Sequence, residues 1–420
     1  MTPELSVRTF PADSIGMTGS GAGGYRQAKR RAARDALLLA LPLLLFLLAT
    51  FITPIALLLA RSVENSEMPD ALPNLTRALA TWNGQGVPDE PVFAALGADL
   101  TNASQSGALG TVARRLNFYL PEMRSLLMRS ARNLPDRTPT AWKAALTGID
   151  PRWGEHDTWR VMKRAAKSPT PDYLLTAVDA QVNDRGIITR VAAQSAVYLP
   201  AFGRTVWISV LVTVICLLLG YAVAWRLATL PARQSSRLML LVIIPFWTSL
   251  LVRITAWYVL LQPGGVVNSL LRTSGMISQP LPLVFNRTGV VIGMTHVLLP
   301  YMILAIYSVM KGVPPTYMRA AQSLGAHPVT AFLRIYLPQT LPGVGAGCFL
   351  VFLLALGYYI TPALLGGPGD EMISQLIAQQ TNELLNWGLA GALSLYLVAF
   401  TVVFYLIFNR LVGIDRLRFG

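Results

Sequence analysis

The sequence predicts an all-α polytopic membrane protein with six transmembrane helices and a large, mainly helical extracytoplasmic insert between the first and second helices. Three observations carry this prediction. Of the 420 residues, 53% are hydrophobic and only 13% are charged. Six apolar runs are each about 20 residues long, which is enough to cross a bilayer as a helix. The longest polar stretch, residues 61–204, lies between the first two runs.

The six runs are rich in Leu, Val, Ile, Ala and Phe, and a helix satisfies its own backbone groups in lipid, whereas an open strand does not. The predicted spans are Leu37–Leu59, Val206–Trp225, Leu238–Leu260, Gly289–Val309, Val344–Leu364 and Gly388–Phe408. Prolines inside four of them predict kinks, because proline removes a backbone donor. They are Pro54, Pro245, Pro300 and Pro362. These kinks either line a pathway or are simple packing features.

Basic residues in the short connections predict the orientation. The connections after the second, fourth and sixth runs carry Arg226, Arg233, Arg237, Lys311, Arg319, Arg334, Arg410, Arg416 and Arg418. The connection after the fifth run is acidic, with Asp370, Glu371 and Glu383. Because positive loops stay in the cytoplasm, we expect both termini and the loop 311–343 to be cytoplasmic.

This orientation divides the chain into five parts. We expect a basic cytoplasmic tail over 1–34, a first span over 35–60, a periplasmic insert over 61–204, a five-helix core over 205–409 and a cytoplasmic tail over 410–420. The glycines of Gly19–Gly24 fit a dinucleotide-binding pattern, but they follow no strand, so they indicate a flexible tail.

The insert is long enough to be translocated regardless of its charge, which is nearly balanced. The stretches VARRLNFYLPEMRSLLMRSARNL and DTWRVMKRAAKS are typical of amphipathic helices interrupted by Pro and Gly. We therefore expect a small helical cap, which either packs passively or adds a docking surface for a partner.

Several function classes are disfavoured. The net charge of +14 is not gathered into a patch of basic and aromatic residues, which disfavours nucleic-acid binding. The only cysteines, Cys216 and Cys348, sit in apolar runs, and the three histidines are too scattered to predict a metal site. No GxxxxGK[ST] motif occurs, so ATP hydrolysis by that machinery requires a separate subunit.

The loop between the fourth and fifth runs is polar, basic and free of acids. It predicts a short helix, a glycine turn, a second amphipathic helix over Pro328–Ile335 and a proline-limited return to the bilayer. Phe332 falls one turn before Tyr336, and Val329 four residues before Leu333, so apolar side chains lie outside the membrane. They either pack on the protein's own helix ends or dock into a partner's groove.

The residues of this loop resemble a known motif, the cytoplasmic "EAA" loop of permease subunits of bacterial ATP-binding-cassette (ABC) importers. The matching positions are Ala320, Ala321, Gly325, Ala326, Phe332, Leu337, Pro338, Pro342 and Gly343. The resemblance implies the type I importer permease fold and a coupling helix that docks into an ATPase subunit. It implies close helix approach at Ala320 and Ala321, a turn at Gly325, and docking contacts along Ala326, His327, Pro328 and Phe332.

Arg319 departs from the motif, which usually begins with Glu. The reversed charge predicts either a compensating acid on the ATPase or a contact made by the other permease subunit.

The resemblance extends over nearly everything except the insert and the tail. Three stretches resemble the spermidine/putrescine-type branch of these permeases: PFWTSLLVRITAWYVLLQPGGVVN from Pro245, GMTHVLLPYMILAIYSVMKGV from Gly293 and LGYYITPALLGGPGDEMISQLI from Leu356. This resemblance implies a polyamine as solute, with a phosphonate, an amino acid or another small cation as alternatives. It also implies two ATPase subunits that bind ATP and Mg, a second related permease and a periplasmic solute-binding protein. An ion-coupled secondary transporter is the rival class, although neither internal repeats nor intramembrane acids are found.

Arg253 falls in the middle of the third run, where a charge is costly unless it faces protein or water. It shares a helical face with Phe246 and Trp257, so it either borders the substrate pathway or ties two helices together.

Aromatic residues are concentrated in the third and fifth runs, at Trp247, Trp257, Tyr258, Tyr358 and Tyr359. They are either interfacial anchors or rings that hold a cation. Asp370 and Glu371 are the acids expected nearest the outer mouth, where they attract a cation or merely keep a loop soluble.

Overall fold

In the computed structural model, residues 34–36, 38–135, 139, 141–182 and 187–412 are described. The expectations for the first 33 residues, including Gly19–Gly24, and for Arg416 and Arg418 fall outside this part of the chain. The protein divides into two units, the first ending at Leu57. The span α1, Leu38–Ala60, contains a π-helical segment at Leu48–Ile52, directly before Pro54.

The insert is helical, as the amphipathic patterns predict. Its helices are α2 (Glu67–Ala71), α3 (Pro73–Thr81), α4 (Glu90–Ser106), α5 (Leu109–Tyr119), α6 (Met123–Arg132), α7 (Trp142–Ile149), α8 (His156–Ala165) and α9 (Asp172–Thr176), with a 3-10 turn at Pro151–Gly154. Two short antiparallel strands follow, β1 (Ala180–Val182) and β2 (Ile188–Arg190). A break at Pro121 separates α5 from α6.

The insert has its own hydrophobic core, built around two fully buried tryptophans. Trp159 lies 4.5 Å from Phe93 and 5.4 Å from Trp153 between ring centroids. The indole of Trp153 donates to Ser130 Oγ at 2.8 Å, and that of Trp159 donates to the Trp153 carbonyl at 2.8 Å. Buried indole N–H groups that find partners are typical of a folded module. The insert is therefore an ordered cap.

The second unit continues with the membrane helices. They are α10 (Tyr198–Thr229), α11 (Ala232–Ile243), α12 (Leu250–Leu261), α13 (Val266–Thr273), α14 (Arg287–Met310), α15 (Thr316–Ser323), α16 (Pro328–Ala331), α17 (Leu337–Leu356), α18 (Ile360–Leu365), α19 (Ile373–Asn382) and α20 (Trp387–Val412). Among the described residues, six helical segments are long and apolar enough to cross a membrane.

Three of these helices, α10, α14 and α17, form the centre of the bundle. Small residues let them approach closely: a Cβ on Gly220 would lie 2.9 Å from Met302 Cγ, and one on Gly347 would lie 2.7 Å from Met302 Sδ. Gly343 is equally close to Val309, on the same helix as Met302. Association of membrane helices depends on such close packing, because lipid supplies no hydrophobic drive between them.

The third predicted span, Leu238–Leu260, is not one continuous helix. It is divided into α11, a 3-10 turn at Ile244–Trp247 and α12, with Ser249 extended before α12. Pro245 lies in that turn, where its missing N–H and its ring prevent an unbroken α-helix. The fifth predicted span, Val344–Leu364, differs in the same way, because α17 ends at Leu356 and Pro362 belongs to the separate helix α18.

The insert is attached at one end of the bundle, the end at which α10 begins, which we name the insert end. Asp179 caps α10 there, accepting from the backbone N–H groups of Val197, Tyr198 and Leu199 at 3.0, 3.1 and 2.7 Å. Tyr173 of α9 packs directly on Gly388 of α20. The opposite end, where α10 ends at Thr229 and residues 311–336 lie, is the loop end.

Candidate coupling surface and intramembrane site

The loop 311–343 contains the predicted helix–turn–helix. Helix α15 ends in a glycine turn, with Gly325 at φ +88° and the Ala326 N–H donating to the Ala321 carbonyl at 3.0 Å. Glycine is suited to this left-handed position because a Cβ would be strained there. The turn reverses the chain and presents residues 324–329 at the loop end.

The structure does not show the predicted proline-limited end of the second loop helix. Pro338 and Pro342 do not limit the second helix; α16 continues through a π-helical segment, Phe332–Tyr336, into α17 without a break. A π segment inserts one residue into the hydrogen-bond ladder, and here it directly precedes Pro338, the position at which an α-helix loses a donor. The loop and the membrane helix therefore form one rod.

Phe332 packs on this chain's own membrane helix. Its ring lies 5.9 Å from Trp225 and 6.3 Å from Tyr221 on α10, edge-on to both, and stacks on Tyr336 at 5.7 Å. Of the two roles considered for the apolar side chains, Phe332 fits packing on the protein's own helix. Its assignment as an ATPase contact stays a prediction.

The exposed tip of the loop contains a residue that the motif did not identify. Leu324 is 90% exposed and Val329 is 58% exposed, beside the exposed His327 and Pro328. A large apolar side chain this exposed outside the membrane indicates a contact surface. The sequence could have indicated this exposure, because Leu324 directly precedes Gly325, the glycine of the turn.

The remaining loop residues are placed as follows. Ala320 and Pro338 are exposed, Ala326, Leu337 and Pro342 are half-buried, and Ala321 and Gly343 are buried. Arg319 is exposed on α15, and within the described residues no ion pair is formed by it. Its guanidinium is therefore available to a partner.

Arg253 of α12 has a buried side-chain nitrogen. Its Nε is buried without a hydrogen-bond partner among the described residues, and so is Nδ1 of His296 on α14. Trp257 lies edge-on to His296, with ring centroids 5.5 Å apart. His296 was not among the predicted site residues, because nothing in the sequence placed it against Trp257.

The predicted aromatic residues separate into two groups. Phe246 meets Tyr301 at 4.9 Å and Tyr258 meets Phe285 at 5.8 Å, while Trp257, Tyr258 and Tyr358 pack around the buried Ile254. In contrast, Trp247 is 85% exposed and Tyr359 is 45% exposed. Trp257, Tyr258 and Tyr358 thus form one cluster around Ile254, the residue next to Arg253 in the chain, and Trp247 and Tyr359 do not belong to it.

Asp370 is engaged in the fold at the insert end. It is buried, and Oδ1 pairs with Arg287 Nε at 3.2 Å, at the start of α14. The Glu371 carbonyl accepts from Arg204 Nε at 2.7 Å, while its half-buried carboxylate belongs to the same turn. Asp370 therefore has a structural partner.

Comparison with known proteins identifies the family. Residues 217–414 match the family described as "Binding-protein-dependent transport system inner membrane component". The chain is 36% identical over 202 residues to "Spermidine/putrescine transport system permease protein PotB" of Salmonella typhimurium, covering 48% of this chain and 70% of that protein. The chain belongs to this family of ABC importer permeases. It is a multi-pass inner-membrane transport subunit, and not an enzyme.

Two further comparisons give partial matches to this chain. The protein of the same description from Escherichia coli (strain K12) is 35% identical over 202 residues, covering 48% of this chain and 74% of its own. A crystal structure of a bacterial alginate ABC transporter in complex with alginate pentasaccharide-bound periplasmic protein aligns with TM-score 0.44 and 19% identity, over 52% of this chain and 78% of that chain.

Proposed function

We propose that this permease forms half of the translocation pathway of an ATP-driven importer for a polyamine of the spermidine or putrescine type. One observation carries the choice of solute: the relatives that are 35–36% identical across the permease core are described as spermidine/putrescine permeases. The family match, residues 217–414, includes Arg253, Trp257 and the loop 311–343.

In the proposed arrangement the loop end is cytoplasmic and the insert end faces the periplasm. The distribution of basic residues supports this orientation. The loop end carries Arg226, Lys311, Arg319 and Arg334, and short loops rich in Lys and Arg stay in the cytoplasm. The exposed tip of Leu324 and Val329 would then meet an ATPase.

The complete importer would contain two ATPase subunits, a second related permease and a periplasmic solute-binding protein. ATP and Mg would bind to the ATPases. Their closure would be transmitted through the continuous rod of α16 and α17, since a rod moves as one body. Because Phe332 joins this rod to Trp225, α10 would move with it.

The chemistry of this half of the pathway limits how a polyamine is held. The sequence has no Asp or Glu between Asp184 and Asp370, so the core helices offer aromatic faces and no carboxylate. Trp257, Tyr258 and Tyr358 would hold the alkyl chain and one ammonium group by cation–π contact, each worth about 0.5–2 kcal/mol. The second permease would supply the acidic groups.

Uptake by the reconstituted importer, with its native ATPases and binding protein, tests this function. We expect labelled spermidine to accumulate only with ATP, and excess putrescine to compete while amino acids and phosphonates do not. Uptake that persists without ATP would support the ion-coupled class instead. Uptake unaffected by polyamines would remove the solute assignment.

Arg253 favours a second candidate solute, one with an anionic group such as a phosphonate. Its buried Nε has no hydrogen-bond partner within the described part of the chain, and a cation in a membrane interior is expected to serve function. Arg253→Gln should then weaken uptake of the anionic solute while Arg253→Lys retains part of it. For a polyamine, neutralising Arg253 should leave affinity equal or higher, so the two solute classes predict opposite signs.

A further inference from the structure

The continuous helix from Pro328 to Leu356, α16 through α17, is named the coupling rod. A large apolar groove lies at the loop end, on the side of α10 that faces this rod. Its volume is about 1170 Å³, and its walls come from α10, the end of α14 and the rod of α16 and α17. Several wall side chains are open to the outside: Leu218 is 68% exposed, Leu341 53% and Leu333 52%. An apolar surface of this size is normally covered by something.

The depth of the groove matches one leaflet of a bilayer. Its wall on α10 extends from Leu217 to Thr229, and twelve steps at the helical rise span about 18 Å. Half of a typical hydrocarbon core is about 15 Å. The groove therefore runs along α10 from its loop end to just short of the helix midpoint, a length comparable to one leaflet.

The outer end of the groove has the features of a headgroup region. Trp225 and Lys311 both line it and are exposed, and Gln322 lies beside them. Trp at this depth is typical of the interface between hydrocarbon and headgroups. Lys311 is the only charged lining residue, and Arg226 follows Trp225 on the same helix.

The positive charge of Lys311 favours an anionic molecule as the occupant of the groove. The sequence between Asp184 and Asp370 contains no acid, so the groove offers a cation and no competing carboxylate. Basic pockets between membrane helices attract anionic lipid headgroups. A neutral lipid would gain only the apolar contacts.

We propose that this groove binds an anionic phospholipid of the leaflet at the loop end, with an acyl chain along Leu218 and Leu341 and the phosphate at Lys311. The lipid contacts α10 and the coupling rod at once, so it bridges the two elements already joined by Phe332 and Trp225. This inference does not depend on which solute is carried.

Native mass spectrometry of the purified importer, without solute, tests the site by comparing bound phosphatidylglycerol with bound phosphatidylcholine. We expect the wild type to retain phosphatidylglycerol preferentially. Lys311→Gln should weaken that retention about fivefold, the attraction of one basic residue for an anionic surface. Filling the groove with Leu218→Trp and Leu341→Trp should remove the bound lipid.

Matched controls lie outside the groove. Arg233→Gln neutralises an exposed basic residue at the same end, and Leu406→Trp enlarges a side chain of α20 that is 59% exposed; both should retain lipid as the wild type does. Unchanged retention in the groove variants would overturn the proposal. Loss of the second permease from the groove-filled complex would also overturn it, since the occupant would then be a protein helix. The amounts of bound lipid and of second permease measured in these experiments do not depend on which solute the importer carries.

Discussion

Phe332 lies edge-on to Trp225, with ring centroids 5.9 Å apart. The contact joins the first turn of the coupling rod to the end of α10, a helix that runs through the centre of the bundle to the insert. Packed aromatic rings have few alternative arrangements, so the contact fixes the rod of α16 and α17 against α10. We therefore expect changes at the half-buried Phe332 to affect stability, and changes at the exposed Leu324 and Arg319 to affect association with a partner.

Phe332→Ala should lower the stability of the assembled permease. Removing a fully buried Phe costs about 3–5 kcal/mol, and because this ring is half-buried we expect about half of that cost. The measurement is the melting temperature of the detergent-purified complex. Phe332→Leu, which keeps apolar volume, should melt closer to the wild type; equal melting of the alanine variant and the wild type would show that the ring contact is not stabilising.

Leu324→Asp should leave stability unchanged and weaken ATPase association, because its side chain is 90% exposed and touches little of its own chain. Co-purification of the ATPase with the permease measures the effect. Ile188→Asp is the matched control, since Ile188 is 62% exposed but lies in the insert. If the two variants retained equal amounts of ATPase, the tip would not be the docking surface.

Arg319→Glu should reduce coupled transport, since an exposed guanidinium without an ion pair in the described chain is placed to meet a partner's acid. Single exposed pairs are worth about 0.2–1 kcal/mol, so charge reversal should weaken ATPase affinity by only a few-fold. Arg319→Lys should retain most activity. Intact transport in the glutamate variant would mean that no compensating acid exists.

Gly388→Ala should loosen the insert from α20, because a Cβ at this position would overlap the ring of Tyr173. The ring is buried and cannot move aside without exposing its surroundings. Faster proteolysis of the insert in the intact protein would report the change. Gly203→Ala is the control: it is helical and has open space around it, so helix propensity alone should make it neutral or slightly stabilising.

Asp172→Asn should destabilise the insert by about 3–5 kcal/mol, the cost of breaking a buried ion pair. Asp172 accepts from the Tyr119 hydroxyl and from Arg164 Nη2, both at 2.6 Å. Burial alone would raise the pKa of this carboxyl, but the bonds from Arg164 and Tyr119 outweigh it and hold the pKa below its ordinary value.

The pH dependence has a defined sign. A lowered carboxyl pKa contributes stability that is complete above the unfolded value, about 3.9, and is lost as pH falls through the lower folded value. Thermal unfolding of the wild-type insert, followed by tryptophan fluorescence, should therefore lose this contribution only below about pH 4. Asp157→Asn, at an exposed acid, should change little; a similar loss in both variants would contradict the buried pair.

Much of the architecture followed from patterns that are local in sequence. Apolar length predicted the number of spans, but the third and fifth candidate spans, Leu250–Thr273 and Pro328–Leu356, are displaced from the predicted runs. Amphipathic spacing predicted that the insert is helical, and Gly325 marked the turn of the loop. These features depend on backbone satisfaction in lipid and on the left-handed preference of glycine, which a short stretch of sequence already expresses.

The local effect of proline was less predictable. Pro245 breaks the third span, whereas Pro338 and Pro342 lie in an unbroken helix that follows a π segment. The same missing N–H is accommodated differently because neighbouring helices and the local hydrogen-bond register decide whether a freed carbonyl is satisfied.

The sequence by itself determined that this chain is a helical membrane protein with a basic loop like that of the importer permeases. Only the tertiary structure decided that Phe332 turns inward to Trp225, that Leu324 is the exposed tip, that Trp257 meets His296 and that Asp370 is paired with Arg287. Each of these relationships joins residues far apart in the chain or depends on which side of a helix is covered. Packing between helices sets them, and periodicity within one segment does not contain that information.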